Sequence, residues 1–217
     1  SVLASLSAIN PQGFIESIAE DVFGRIDELI LEFPVEMTNS LCRLCETIPE
    51  FINDDENNRI DDMIKYSYIL MDDEPDCTFQ LLAKIIETFH GNSIPIEKEQ
   101  MIKLISLPLS INYKDFFITV SKYQETVHLD PEIPKQLCTR LIQELTDSNN
   151  NIALDIFAKL PPSFISNHEA IFEAIWPVTD ESMNDFVCSI PNALFNLCKS
   201  TDIISTNTVA KQLLQYA

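Results

Sequence analysis

Only three of the 217 residues are glycine, Gly13, Gly24 and Gly91, and that scarcity restricts the fold more than any other feature of the chain. Tight β-hairpins, phosphate-cradling loops and dinucleotide-binding turns use glycine for a positive φ or for close backbone approach. No G-x-G-x-x-G or Walker-type loop can be written with glycines so placed, which removes most nucleotide-binding enzymes from consideration. A glycine-poor chain whose residues are 46% apolar has the means to bury a core, and helices joined by short polar turns are the natural way to do it.

Apolar residues recur at steps of three and four along nearly the whole chain. Phe14, Ile15, Ile18, Ala19, Val22, Phe23, Ile26, Leu29 and Ile30 form one helical stripe that ends at Phe33-Pro34, where proline disfavours helical geometry in the residue before it. Met37, Leu41, Leu44, Cys45 and Ile48 mark a second helix, ending near Pro49. A third is predicted from about Ile60 to Leu70, broken by Asp72-Asp73-Glu74-Pro75-Asp76. Asp76 is read as N-cap of a fourth, with the stripe Phe79, Leu82, Ile85, Ile86 and Phe89. Gly91 or Asn92 is expected to close it in the left-handed conformation. Helices are then predicted over Ile96–Leu107, Tyr113–Val127, Pro131–Leu145 (capped by Asp130) and from Asn149 or Asn150 to Leu160. Segments near Ser166–Trp176, Asp180–Cys198 and Thr206–Tyr216 complete the set, with Pro191 kinking or splitting the second. Phe116-Phe117-Ile118-Thr119-Val120 has strand-like residues, but its flanks favour helix.

The helices arrive in pairs at roughly the 35–45-residue period of HEAT and armadillo arrays, without a cleanly recurring residue pattern. The expected fold is all-α, an α-solenoid of HEAT/armadillo-like helix pairs over residues 1–217, and a compact helical bundle is the structural alternative. The chain opens at Ser1 without an initiator Met, which reads as a segment of something longer.

Charge narrows the partners. There are 34 Asp and Glu against 14 Lys and Arg, a formal net charge of −20. Such a surface repels DNA, RNA and anionic lipid, whose binding depends on Lys and Arg, and suits basic proteins. Two acidic runs stand out in predicted connections, Asp54-Asp55-Glu56 and Asp72-Asp73-Glu74, and these six are the candidate contacts for a basic partner. The alternative is that they merely keep an apolar solenoid soluble.

No constellation supports catalysis or a cofactor. Cys42 and Cys45 have C-x-x-C spacing, but no second pair follows and both fall on an apolar helical stripe. With Cys77, Cys138, Cys188 and Cys198 they resemble the buried thiols of a reducing compartment, hence the expectation of cytoplasm and nucleus. His90, His128 and His168 are isolated, and the pairs Asp54-Asp55, Asp61-Asp62 and Asp72-Asp73 lack the Asp-x-Asp-x-Asp-Gly pattern of a calcium loop. No apolar run approaches the roughly 20 residues that span a bilayer. The aromatics, among them Phe116, Phe117, Phe157, Phe164, Phe172, Trp176, Phe186 and Phe195, lack the basic surroundings of a nucleic-acid stacking platform.

The stretch Asn39-Ser40-Leu41-Cys42-Arg43-Leu44-Cys45-Glu46-Thr47-Ile48-Pro49-Glu50-Phe51-Ile52 resembles the importin-β superfamily, in the branch of transportin-SR and its importin and exportin relatives. The helix Ile60–Met71, the acidic break Asp72–Asp76 and the helix Phe79–Phe89 follow in the same order as in that branch, and Leu107-Pro108, Leu129-Asp130-Pro131, Ala153–Leu160 and Ile171–Trp176 extend the likeness. The resemblance implies a nuclear transport receptor that curls around protein cargo, binds the small GTPase Ran and passes the pore on phenylalanine-glycine repeats. It carries no specific cargo or GTPase contact onto this chain. A helical scaffold or regulatory subunit without a transport role is the other non-enzymatic reading, and a helical enzyme with a metal or carboxylate site is the reading from a different class.

Overall fold

The computed structural model describes residues 23–53, 59–148, 151–165 and Ala170, and every element among them is helical. The chain divides into two compact units, residues 1–129 and 130–217. The first contains α1 (Ile26–Glu32), α2 (Pro34–Thr47), α3 (Pro49–Ile52), α4 (Arg59–Ile69), α5 (Pro75–Thr88), α6 (Lys98–Ser106), α7 (Ile111–Lys122) and α8 (Gln124–Val127). The second contains α9 (Glu132–Ser148), α10 (Asn151–Lys159) and a 3₁₀ turn at Pro162–Phe164.

One device opens three of the helices. Phe33, Ile48 and Glu74 each precede a proline, and all three take nearly the same backbone conformation (φ −135°, −141° and −132°; ψ 62°, 58° and 65°). Proline's ring keeps the preceding residue out of the α region, while its fixed φ suits the first position of the next helix. The chain therefore turns at Phe33-Pro34, Ile48-Pro49 and Glu74-Pro75 without using a side-chain cap. Polar caps serve elsewhere. Glu97 and Gln100 form a reciprocal capping box on α6, Ser110 Oγ accepts from Tyr113 N–H at 3.1 Å, and Asp130 Oδ1 accepts from Glu132 N–H at 2.8 Å.

Several boundaries differ from the sequence expectation. Helix α5 begins at Pro75, so Asp76 lies in its first turn and Glu74 occupies the cap position. No glycine among the described residues has a positive φ; α5 ends at Thr88 with Phe89 as its C-cap, and His128 (φ 50°) is the left-handed residue, closing α8. The helix expected over Tyr113–Val127 is two, broken at Tyr123. The first stripe is interrupted at Arg25, and Pro49 opens a short helix of its own. Phe116–Val120 lies within α7, as its flanks suggested. The predicted segments beyond Ile165, including Pro191, fall outside the described residues, Ala170 apart.

Helix α5 is the hub of the first unit. It packs on α2, α4 and α7, whereas α2 and α7 share no substantial interface with each other. The α5–α7 contact is aromatic: Phe79 lies 5.0 Å from Tyr113, 5.6 Å from Phe116 and 6.4 Å from Phe117 between ring centroids, and all four rings are fully buried. Edge-on and tilted pairs like these add to the area they remove from water. Thr78 Oγ1 donates to Ser67 O across the α4–α5 contact at 2.7 Å, which satisfies a polar group there. In the second unit, Leu137, Cys138, Leu141 and Leu145 of α9 are buried, as are Leu154, Ile156 and Phe157 of α10. Cys138 Sγ also donates to Phe164 O at 3.4 Å.

Candidate protein-binding surfaces

The acidic turn predicted as a partner contact is only partly free. Asp72 pairs with Lys103 of α6 (2.8 Å), an exposed bridge of the kind worth about 0–1 kcal/mol. Glu74 is half-buried at the helix junction, where its N–H donates to Leu70 O and its C=O accepts from Thr78 N–H. Asp73 is exposed between them. Asp54, Asp55 and Glu56 lie outside the described residues, so the structure joins Asp72, Asp73 and Glu74 in one turn and says nothing of their relation to the first run.

Two grooves that the sequence reading did not locate have clearer geometry. The first, about 320 Å³, lies between α5 and α7 and is lined by Gln80, Ala83, Lys84 and Glu87 on one side and by Asn112, Asp115, Ile118 and Thr119 on the other. Residues 80, 83, 84 and 87 share a helix face by their spacing. The buried Phe79, Leu82 and Ile86 occupy the opposite stripe, and this alternation was the signal available in the sequence. Lys84 Nζ is held by Glu46 Oε1 of α2 and by Glu87 Oε2, both at 3.0 Å. Gln80 Nε2 donates to Asn39 Oδ1 at 3.0 Å, so the polar surface continues from α5 onto α2. Arg43 approaches Glu46 at 3.6 Å from the far side. Burial lowers the Lys84 pKa, but the hydrogen bonds and charges of Glu87 and Glu46 outweigh it and leave the ammonium above its ordinary value.

The second groove, about 460 Å³, runs between α4 and the start of α6. Asp61, Ile64, Lys65, Tyr68 and Ile69 come from one face of α4, and Pro95, Glu97 and Gln100 close the other side. Its lining mixes apolar residues (Ile64, Tyr68, Ile69 and Pro95) with polar and charged ones (Asp61, Lys65, Glu97 and Gln100), and Ile69 is 42% exposed. Tyr68 has a shielded hydroxyl with no hydrogen-bond partner. Burial, and then the neighbouring Glu97, push its pKa well above the usual tyrosine range. A further apolar corner is formed at the α1–α2 junction by Leu31, Phe33 and Val35, each at least 45% exposed.

The described cysteines and histidines, the residue types of metal and nucleophile chemistry, are packed as core or turn. Cys42 and Cys45 are buried free thiols. Burial pushes Cys42 up to about 12 and Cys45 higher still, the reverse of an activated nucleophile. His90 stacks on Tyr123 (4.6 Å) with Nδ1 3.0 Å from Glu87 O, and His128 closes α8; His168 is outside the described residues. Among the described residues no group of three or more His, Cys, Asp or Glu is placed to share a metal ion, and no helix is long and apolar enough to cross a membrane. No protein-family model, curated protein or solved structure matches the chain.

Proposed function

We propose that the chain is a segment of an α-solenoid of HEAT/armadillo-like helix pairs that holds protein partners reversibly, with no covalent step, as part of a karyopherin-like nuclear transport receptor. The observation that carries this reading is the packing of α2, α5 and α7. The first and last each rest on α5 and hardly on each other, a nearest-neighbour pattern that supports stacked repeats. Stacked helix pairs would leave grooves between neighbouring helices, and the grooves between α5 and α7 and between α4 and α6 support that arrangement. The net charge of −20 supports basic cargo. The apolar part of the α4–α6 groove, Ile64, Tyr68, Ile69 and Pro95, suits the aromatic side chain of a phenylalanine-glycine repeat. Cytoplasm and nucleus are the matching compartments.

Titration of the full chain with a phenylalanine-glycine peptide tests the transport reading. Binding that is weakened by Ile69→Glu, in the α4–α6 groove, supports it, as does capture of GTP-loaded Ran. Binding of basic proteins alone, with neither of these, would replace it with a non-transport helical scaffold. Charge reversal at Asp54, Asp55, Glu56, Asp72, Asp73 or Glu74 is expected to weaken a basic partner in a salt-sensitive way. Unchanged affinity at every one of them would remove these two runs from the contact surface.

A further inference from the structure

We propose that the α5–α7 groove is a receptor for a single lysine or arginine side chain of an extended partner segment. The proposal rests on the reading of the chain as a protein-binding platform and assigns that platform one specific contact. At about 320 Å³ the groove sits at the small end of ligand sites, roughly 300–1,000 Å³, and suits one long side chain better than a large ligand. Its lining is amphipathic in the manner of a lysine or arginine. Ala83 and Ile118 offer apolar surface for the methylene stem, and Ala83 leaves room that a larger residue would fill.

Charge selects the head group. The groove holds two carboxylates, Glu87 and Asp115, and one cation, Lys84. That cation is already held between Glu46 and Glu87, which neutralises it toward any incoming anion. Asp115 is exposed, and no ion pair among the described residues engages it. An arriving ammonium or guanidinium therefore meets an uncompensated carboxylate beside a half-compensated one, while an arriving carboxylate meets a cation with two partners in place. Asn112 and Thr119, both half-buried, add amide and hydroxyl groups able to bond the main chain on either side of the inserted residue.

The test is a fluorescence-anisotropy titration of the full chain with a short labelled peptide alternating lysine and alanine, and with its glutamate counterpart. Three variants are compared with the parent: Asp115→Lys, Ala83→Met and, as a charge-matched reference at an exposed position outside the groove and the two acidic runs, Glu32→Lys. Circular dichroism checks that each keeps its helical content. Asp115→Lys is expected to weaken the lysine peptide about tenfold or more, and Ala83→Met about threefold or more by filling the groove without altering charge. Glu32→Lys is expected to cost less than half as much in logarithmic affinity as Asp115→Lys. Equal losses for Asp115→Lys and Glu32→Lys, with none for Ala83→Met, would overturn the groove assignment and leave a diffuse acidic platform standing. Stronger binding of the glutamate peptide, or of neither peptide by the parent chain, would overturn the assignment together with the basic-partner reading beneath it.

Discussion

Replacing Phe79 with alanine removes a ring that is fully buried and packed against Tyr113, Phe116 and Phe117 at centroid distances of 5.0, 5.6 and 6.4 Å. Deleting a buried phenylalanine side chain costs about 3–5 kcal/mol, because the lost transfer energy is joined by the cavity left behind. The upper half of that range is expected here. Tyr113 and Phe117 brace each other at 4.6 Å, and Phe116 and Phe117 at 4.9 Å, so collapse into the vacated space is opposed. Phe79→Leu keeps most of the volume and forfeits mainly the ring-edge contacts, at about 1–2 kcal/mol. The assay is native-state hydrogen exchange of α5 and α7 amides in increasing urea, which reads the first unit without assuming that the chain unfolds in one step. A double-mutant cycle of Phe79→Leu with Phe117→Leu is expected to give a coupling of about 0.5–1.5 kcal/mol. A loss below about 1 kcal/mol for Phe79→Ala, or equal losses for alanine and leucine, would refute the view that this aromatic contact joins α5 to α7.

Three other perturbations follow from particular side chains. Arg59 is buried with its guanidinium 3.8 Å from the Phe51 centroid and Nη1 donating to Phe51 O at 2.7 Å, so Arg59→Lys loses the planar stack and is expected to destabilise the first unit by about 2 kcal/mol; unchanged urea stability would contradict this. Tyr68→Phe removes a shielded hydroxyl without a partner, and its urea midpoint should hold or rise by the equivalent of about 1 kcal/mol, whereas a clear fall would mean that the hydroxyl is satisfied. Cys42 sets an alkaline limit: burial raises its pKa from 9.0 to about 12, so the unfolded chain loses this proton first. Its stabilising effect is complete below pH 9 and is lost at about 1.4 kcal/mol per pH unit between pH 9 and 12, and Cys42→Ala should flatten the measured stability–pH slope in that window.

What the sequence disclosed was mainly local. Glycine scarcity and three-four periodicity located the helices, and the prolines at 34, 49 and 75 marked the breaks, because steric exclusion before proline acts on one residue and needs no tertiary context. The break at Tyr123 has no such marker. It is held by residues 90–94: His90 stacks on Tyr123, Thr126 Oγ1 donates to His90 O, and Ile94 N–H donates to Thr126 O, none of which periodicity reveals. Gly91 misled for the related reason that α5 stops one turn short of it, with Phe89 N–H still bonded to Ile85 O and no left-handed residue needed. The acidic turn at Asp72–Glu74 was visible as charge, but the pairing of Asp72 with Lys103 required the fold. The α5–α7 groove joins residues some thirty positions apart, and only the α5 half of it could be read as a polar helix face.

We propose that this acidic helical protein binds basic protein segments by reversible electrostatic contact. The most direct test is the affinity of the full chain for the lysine–alanine peptide measured across a series of salt concentrations. Binding is expected to weaken steadily as salt rises and screening shortens, with the glutamate peptide bound far more weakly throughout. Affinity that is indifferent to salt, or equal for the two peptides, would contradict it.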